Sequence, residues 1–398
     1  MPNKGYSRRK FLGNIAAGST GAALAAMPAG HSAAAAADPP YPATMASYPL
    51  ATANGNPPLE NVKVVTTDVI PKRYREKLLE YSPSLKLQEC RSLEAFHREV
   101  ADSHVIFAEL TRQDFAAAKQ LRWIQARSAG VEEYVAWPEL VDGPVILTNM
   151  QRIYAPGISE TAIGYMLTLA HGLNKYALQT KEQVWKQADE EFMHALSARR
   201  FQGNRDESLH DPLQEISGFT LGIVGLGGIG TDIAYRAHYG FGMKILAIDP
   251  KPLPKPAFVA ELHSVDWLPK MVPRVDILAC CAPHTKESFH MLNESVFRAM
   301  KPSAYFINVT RGWLVDQSAL AGALKDHRIA GAALDATEPE PLPADDPLWT
   351  AGNVLITSHT SARSPQTDER VRNLFCENVR RYVNGLPLLN VVDKERGY

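Results

Sequence analysis

Short apolar runs alternate with segments of helical period along most of this chain, most clearly in its second half. There, Phe219–Val224, Met243–Ile248, Val275–Ala282, Tyr305–Val309, Ala332–Asp335 and Val354–Thr357 each read as a buried strand. Between the first two, Ile229, Ile233, Ala234, Ala237 and Phe241 recur at helical spacing. The first half opens with an apolar strand pattern from Val62 to Ile70, followed by a helix with Tyr74, Leu78 and Leu79. Val105–Ala108 and Trp123–Ala126 are further strands with a helical stretch, Phe115 to Gln120, between them, and Val145–Thr148 closes the segment. This pattern predicts an α/β chain of two doubly wound parallel-sheet domains, the second the larger.

Other segments organise the chain around those sheets. Ile158 to Leu173 reads as one long apolar helix without a strand partner, suited to crossing between domains. Lys175 to Gln214 is polar, carries Trp185, Phe192 and Phe201, and reads as a surface arm that makes a homodimer contact. The last helix, near Asp368 to Tyr382, is expected to fold back onto the first domain. The predicted boundaries are 1–37 for an export signal, 38–60 for a proline-rich linker and 61–157 for the first domain, completed by 362–398. The second domain takes 158–361.

The glycine-rich turn after Phe219–Val224 brings in the first chemistry. Gly225-Leu226-Gly227-Gly228-Ile229-Gly230 fits G-x-G-x-x-G between a strand and a helix, where backbone N–H groups can meet a pyrophosphate at the positive end of the helix dipole. The next strand ends in Asp249, 19 residues past Gly230, the place for a carboxylate that accepts hydrogen bonds from an adenosine ribose. Strand, glycines, helix, strand and Asp in that order predict a Rossmann domain binding NAD. Asp249 favours NAD over NADP, and Lys251 and Lys255 nearby keep NADP possible.

Arg311, Glu340 and His359 stand at or just after strand ends, where open α/β sheets place ligands. Arg supplies a forked donor for a carboxylate and a polarised carbonyl. His can move the hydroxyl proton, and a paired Glu stabilises its cationic form. Spacing alone leaves each with an ordinary alternative as a turn residue, a solvated loop charge or a strand-end cap.

The stretch from Leu221 to His359 resembles the D-isomer-specific 2-hydroxyacid dehydrogenase family. The matching runs are Leu221–Gly230, Asn308–Asp316, Ala330–Asp335 leading to Glu340-Pro341-Leu342-Pro343, and Asn353–His359. The resemblance implies a substrate cleft between the two doubly wound domains, and a hydride transfer there between nicotinamide and a small D-2-hydroxy or 2-oxo acid such as glyoxylate or hydroxypyruvate. It also implies roles: Arg311 binds substrate, His359 is the acid–base, and Glu340 pairs with His359. Asp335 stands where the family contacts the nicotinamide carboxamide, and Ala282-Pro283 and Thr310-Arg311 line the cofactor. In the first domain, Ser128-Ala129-Gly130-Val131 resembles the loop whose amides hold the substrate carboxylate. Two positions depart from the family: Ser358 replaces the usual Pro before the His, and Glu132 and Glu133 follow Val131 where an Asp is common. Glu340 argues against the formate dehydrogenase branch, which has Gln there. The alternative reading is a catalytically silent NAD-binding sensor or scaffold, against which the intact Arg311, Glu340 and His359 speak.

Composition narrows the rest. With 42 basic and 43 acidic residues, the net charge of −1 gives no electrostatic reason to expect nucleic acid as partner. Cys90, Cys280, Cys281 and Cys376 make no metal or redox spacing, so buried inert thiols and no metal are expected. Ser7-Arg8-Arg9-Lys10-Phe11-Leu12 resembles a twin-arginine export signal, followed by a weakly apolar stretch, Ile15 to Ala29, and small residues Ala33 to Ala37. That stretch is too short for a stable membrane anchor. The expectation is a precursor for the twin-arginine machinery and a periplasmic mature protein, the alternative being a chance motif on a cytoplasmic enzyme.

Overall fold

The computed structural model of the protein describes residues 61–183 and 213–398. The export signal, the linker and residues 184–212 of the arm lie outside the described residues. The first sheet contains β1 (Lys63–Thr66), β2 (Lys86–Glu89), β3 (Val105–Phe107), β4 (Trp123–Gln125) and β5 (Ile146–Thr148). All run parallel, in the order β2-β1-β3-β4-β5. The second contains β6 (Thr220–Val224), β7 (Lys244–Ile248), β8 (Glu261–His263), β9 (Ile277–Cys280), β10 (Tyr305–Asn308), β11 (Gly331–Leu334) and β12 (Val354–Ile356). These are also parallel, ordered β12-β11-β10-β9-β6-β7-β8. The order reverses between β6 and β9, the switch point at whose carboxyl ends open α/β sheets bind their ligands.

Both sheets are covered on two faces by separate apolar clusters. Along β1, Val64 belongs to one cluster and Val65 to the other. Cys280 and Cys281 divide in the same way across the second sheet, as residue-by-residue alternation requires. All four cysteines are buried. Burial pushes the Cys280 and Cys376 thiols up to about 11, so neither forms a thiolate readily.

Two edge strands, β2 and β8, are absent from the sequence reading. Each carries a single apolar residue, Leu87 and Leu262, and is only partly buried, so neither shows an apolar run. The long apolar helix is also shorter at its end than its pattern suggests. It spans Ala155–Ala170, and Gly172, in the left-handed conformation at φ +60°, starts a separate helix, Leu173–Glu182. The helix Pro365–Val383 packs against Lys72–Tyr81 and sends Leu374, Phe375 and Val379 into a first-sheet core. There Phe375 stacks on Phe107 with ring centroids 4.2 Å apart.

Candidate active site

The loop between β6 and the helix Gly228–Phe241 is built from close approaches that only glycine permits. Gly225 has φ +91°, and a Cβ there would lie 2.9 Å from the Ala282 backbone. A Cβ on Gly230 would lie 2.0 Å from the Gly225 carbonyl oxygen, so this residue seats the helix against the turn. Gly227 caps the helix with no side-chain hydrogen bond, and the space its Cβ would take is open. An uncapped helix start beside an open cradle fits a dinucleotide pyrophosphate. A Cβ on Gly228 would meet Arg152, itself at φ +70° on the segment joining the two sheets. Ile229 packs into the core beneath the loop.

Asp249 at the end of β7 is buried, accepting the Leu226 N–H at 2.8 Å and the Lys251 N–H at 2.9 Å. The carboxylate therefore braces the glycine loop itself, and each oxygen keeps further acceptor capacity for a ribose hydroxyl. Just beyond the neighbouring β9, Ala282 abuts Gly225 and the Pro283 carbonyl accepts the Ser288 hydroxyl at 2.9 Å. Thr310 is buried near the Cys280 thiol.

His359 lies just beyond β12 in the left-handed region, at φ +53°. Its backbone N–H donates to the Asp335 carbonyl at 2.9 Å. The next two N–H groups, Thr360 and Ser361, donate to the Asp335 carboxylate at 3.0 and 3.1 Å, joined by the Thr357 hydroxyl at 2.5 Å and the Ser361 hydroxyl. Burial opposes the charge on Asp335, but the Ser361 and Thr357 hydroxyls and the two N–H groups outweigh it and hold the carboxyl below its usual range. Tyr165, on the helix Ala155–Ala170, bonds Thr357 from behind. The turn is thus fixed through Asp335, and exposed Ser358 is not required to stiffen it.

The ring of His359 meets Glu340 with Nδ1···Oε2 at 2.9 Å, while the other Glu340 oxygen accepts the Thr337 N–H at 3.0 Å. A carboxylate at Nδ1 places the neutral ring's proton there and leaves Nε2 as the basic nitrogen. Gly312 links this pair to Arg311, because a Cβ at Gly312 would lie 2.1 Å from the Thr337 carbonyl oxygen. The Arg311 carbonyl accepts the amide of buried Asn308 at 2.8 Å. Arg311 and the Glu340–His359 pair are therefore braced by one packed unit.

Arg311 also reaches the first sheet. Its Nε donates to Glu132 at 3.1 Å, its Nη1 to the Thr310 carbonyl at 3.0 Å, and a Cβ on Gly130 would lie 2.0 Å from its Nη2. The loop Ser128-Ala129-Gly130 is held by its carbonyls, Ser128 accepting the Met150 N–H at 2.9 Å and Ala129 the Asn149 amide at 2.7 Å. The structure thus brings together the loop and Arg311, which are far apart in sequence. Glu132, Asn308, Thr337 and Asn149 also brace this candidate site, roles that their positions in the sequence do not suggest. The unusual acid after Val131 was the visible signal for Glu132.

Residues 163–361 match the family model described as D-isomer specific 2-hydroxyacid dehydrogenase, NAD binding domain. The chain is 30% identical to a glyoxylate reductase of Korarchaeum cryptofilum, over 84% of this chain and 96% of that one. The chain belongs to the D-isomer specific 2-hydroxyacid dehydrogenase family. Among solved structures, a family protein from Aeromonas salmonicida is similar, with a TM-score of 0.69, 29% identity and coverage of 84% of this chain and 100% of that one. Another, from Xanthobacter autotrophicus in complex with NADPH and MES, shares the fold at a TM-score of 0.68 and 24% identity, covering 85% and 99%. This dehydrogenase is an oxidoreductase acting on a CH–OH group with NAD(P) as its cofactor. No helix among its described residues is long and apolar enough to cross a membrane.

Proposed function

We propose that this dehydrogenase transfers a hydride between NAD and a small D-2-hydroxy acid or its 2-oxo acid, with glyoxylate, hydroxypyruvate or an acid of similar size as substrate. The observation that carries this reading is His359 Nδ1 on Glu340, with Arg311 braced beside them. The glyoxylate reductase likeness supports the substrate class. Bound nicotinamide supplies or accepts the hydride. Arg311 and the amides of Ser128, Ala129 and Gly130 hold the substrate carboxylate and orient the carbonyl. In reduction, His359 Nε2 gives its proton to the carbonyl oxygen as carbon takes the hydride; in oxidation it takes the hydroxyl proton back. Glu340 stabilises the imidazolium.

Asp249 favours NAD, since a 2′-phosphate beside its carboxylate would meet like charge. The test is a panel of glyoxylate, hydroxypyruvate, pyruvate and longer 2-oxo acids against NADH and NADPH, followed by reduced-nicotinamide absorbance. Oxidation of NADH by at least one short acid is expected; none with any acid would remove the reading.

The working halves of this reading are 61–157 with 362–398 for substrate and 158–361 for cofactor, in a homodimer joined through the arm. Export through the twin-arginine route to the periplasm rests on Ser7–Leu12 and the small-residue stretch that follows. Replacing Arg8 and Arg9 with Lys should keep the full-length precursor in the cytoplasm, whereas wild-type protein found only there would remove the export proposal.

A further inference from the structure

The strand end that reads the adenosine ribose carries two opposite charges. Asp249 disfavours a 2′-phosphate, while Lys251, two residues on, is a cation that would favour one. The Lys251 N–H donates to Asp249 at 2.9 Å, so both side chains rise from one short turn. The ammonium of Lys251, however, sits over the ring of Tyr398, 4.1 Å from its centroid. That distance is within the range of a cation–π contact, which is stronger where water is partly excluded.

Tyr398 is delivered there by the other half of the molecule. Val391 bridges to Thr148 beside the first sheet, and the Val392 N–H donates to Leu147 at 2.9 Å. Lys394 is fastened by the carbonyls of Leu140 and Gly143, each at 2.7 Å, and of Val145 at 3.3 Å. The Asp393 carbonyl then accepts the Gly397 N–H at 2.8 Å, closing a turn that passes Val135. A segment fixed to the first sheet thus brings one aromatic ring to the cofactor edge of the second. Burial holds the Lys251 ammonium below its usual range and raises the Tyr398 phenol, with the Asp249 charge adding to the latter.

We propose that Tyr398 is a specificity-determining residue for the nucleotide: by holding the Lys251 ammonium over its ring, it keeps that charge from the 2′ position and leaves Asp249 to select NADH. This rests on the cofactor site described above. Direct binding of NADH and NADPH, read by ligand fluorescence without substrate, tests it in four variants. Tyr398→Ala should tighten NADPH about three- to tenfold relative to NADH, the range of a partly desolvated cation–π contact released. Tyr398→Phe, which keeps the ring, should leave the ratio at its wild-type value. Lys251→Ala alone should change NADPH affinity less than about twofold, whereas adding it to Tyr398→Ala should abolish the gain. An unchanged ratio in Tyr398→Ala, or a gain that survives loss of Lys251, overturns the proposal. So does a large loss of NADPH affinity in Lys251→Ala alone, which needs no change at Tyr398. Wild-type protein that binds neither nucleotide would instead remove the cofactor reading itself.

Discussion

The two sides of the site are anchored differently. On the second sheet, the His359 turn hangs from one residue, Asp335, at the end of the neighbouring strand, through its carbonyl and both carboxylate oxygens. Its three N–H donors are the consecutive residues His359, Thr360 and Ser361, with Tyr165 backing the turn through Thr357, so the imidazole proposed as acid–base is set by backbone geometry. On the first sheet, the Ser128–Gly130 loop is held by Asn149 and Met150 from the linking segment and meets Arg311 from the other half. Its shape depends on how the halves come together. The side proposed to handle the proton is therefore preorganised largely within one sheet, while the side proposed to hold the substrate carboxylate is completed by long-range contact.

If that contrast is right, damage to the second-sheet side should be the more severe. His359→Ala removes the acid–base group from an otherwise braced site and should lower kcat on the best 2-oxo acid on the order of 10²–10⁴-fold. The binding of NADH, measured directly, should stay within a few-fold of wild type. Near-normal turnover would mean that another group moves the proton.

Asp335→Asn probes the anchor rather than the proton. One oxygen becomes an amide that donates toward N–H groups already donating, so stability should drop by about 1–3 kcal/mol, with kcat lower by about tenfold. Because its folded carboxyl sits below the usual range, Asp335 contributes stability that is present above the unfolded value of about 4. That contribution is lost as pH falls through the lower folded value. The thermal stability gap between wild type and variant should thus be full at neutral pH and close in acid. A gap independent of pH would assign the loss to packing alone.

The same contrast explains what the sequence made legible. Gly225, Gly227, Gly230 and Asp249 are spaced along one strand-turn-helix-strand unit, so their meeting follows from local geometry. Arg311, Glu340 and His359 each follow a strand end of a single parallel sheet, which puts them on one edge. Glu132 was visible only as an odd residue in a loop, because its partner Arg311 lies 179 positions away. The edge strands β2 and β8 escaped because partial exposure removes the apolar run on which strand prediction depends. The helix Leu173–Glu182 escaped because it buries none of its residues, so no apolar period marks it.

The smallest expected effect lies at the contact joining the two sides. Glu132 takes Arg311 Nε while both side chains are about a third exposed, so the pair contributes only ~0.2–1 kcal/mol. With Arg311 holding the substrate carboxylate as proposed, the Glu132 charge bonded to it repels that anion. Glu132→Gln keeps an oxygen to accept from Nε and removes the charge. The KM for glyoxylate should therefore fall about two- to fivefold, with kcat within about twofold of wild type. The gain should shrink as ionic strength rises, because the repulsion it relieves is partly screened. A KM that rises instead would show that the charge of Glu132 is needed to aim the guanidinium. The carboxylate-holding side would then depend on this contact for its geometry as fully as the His359 turn depends on Asp335.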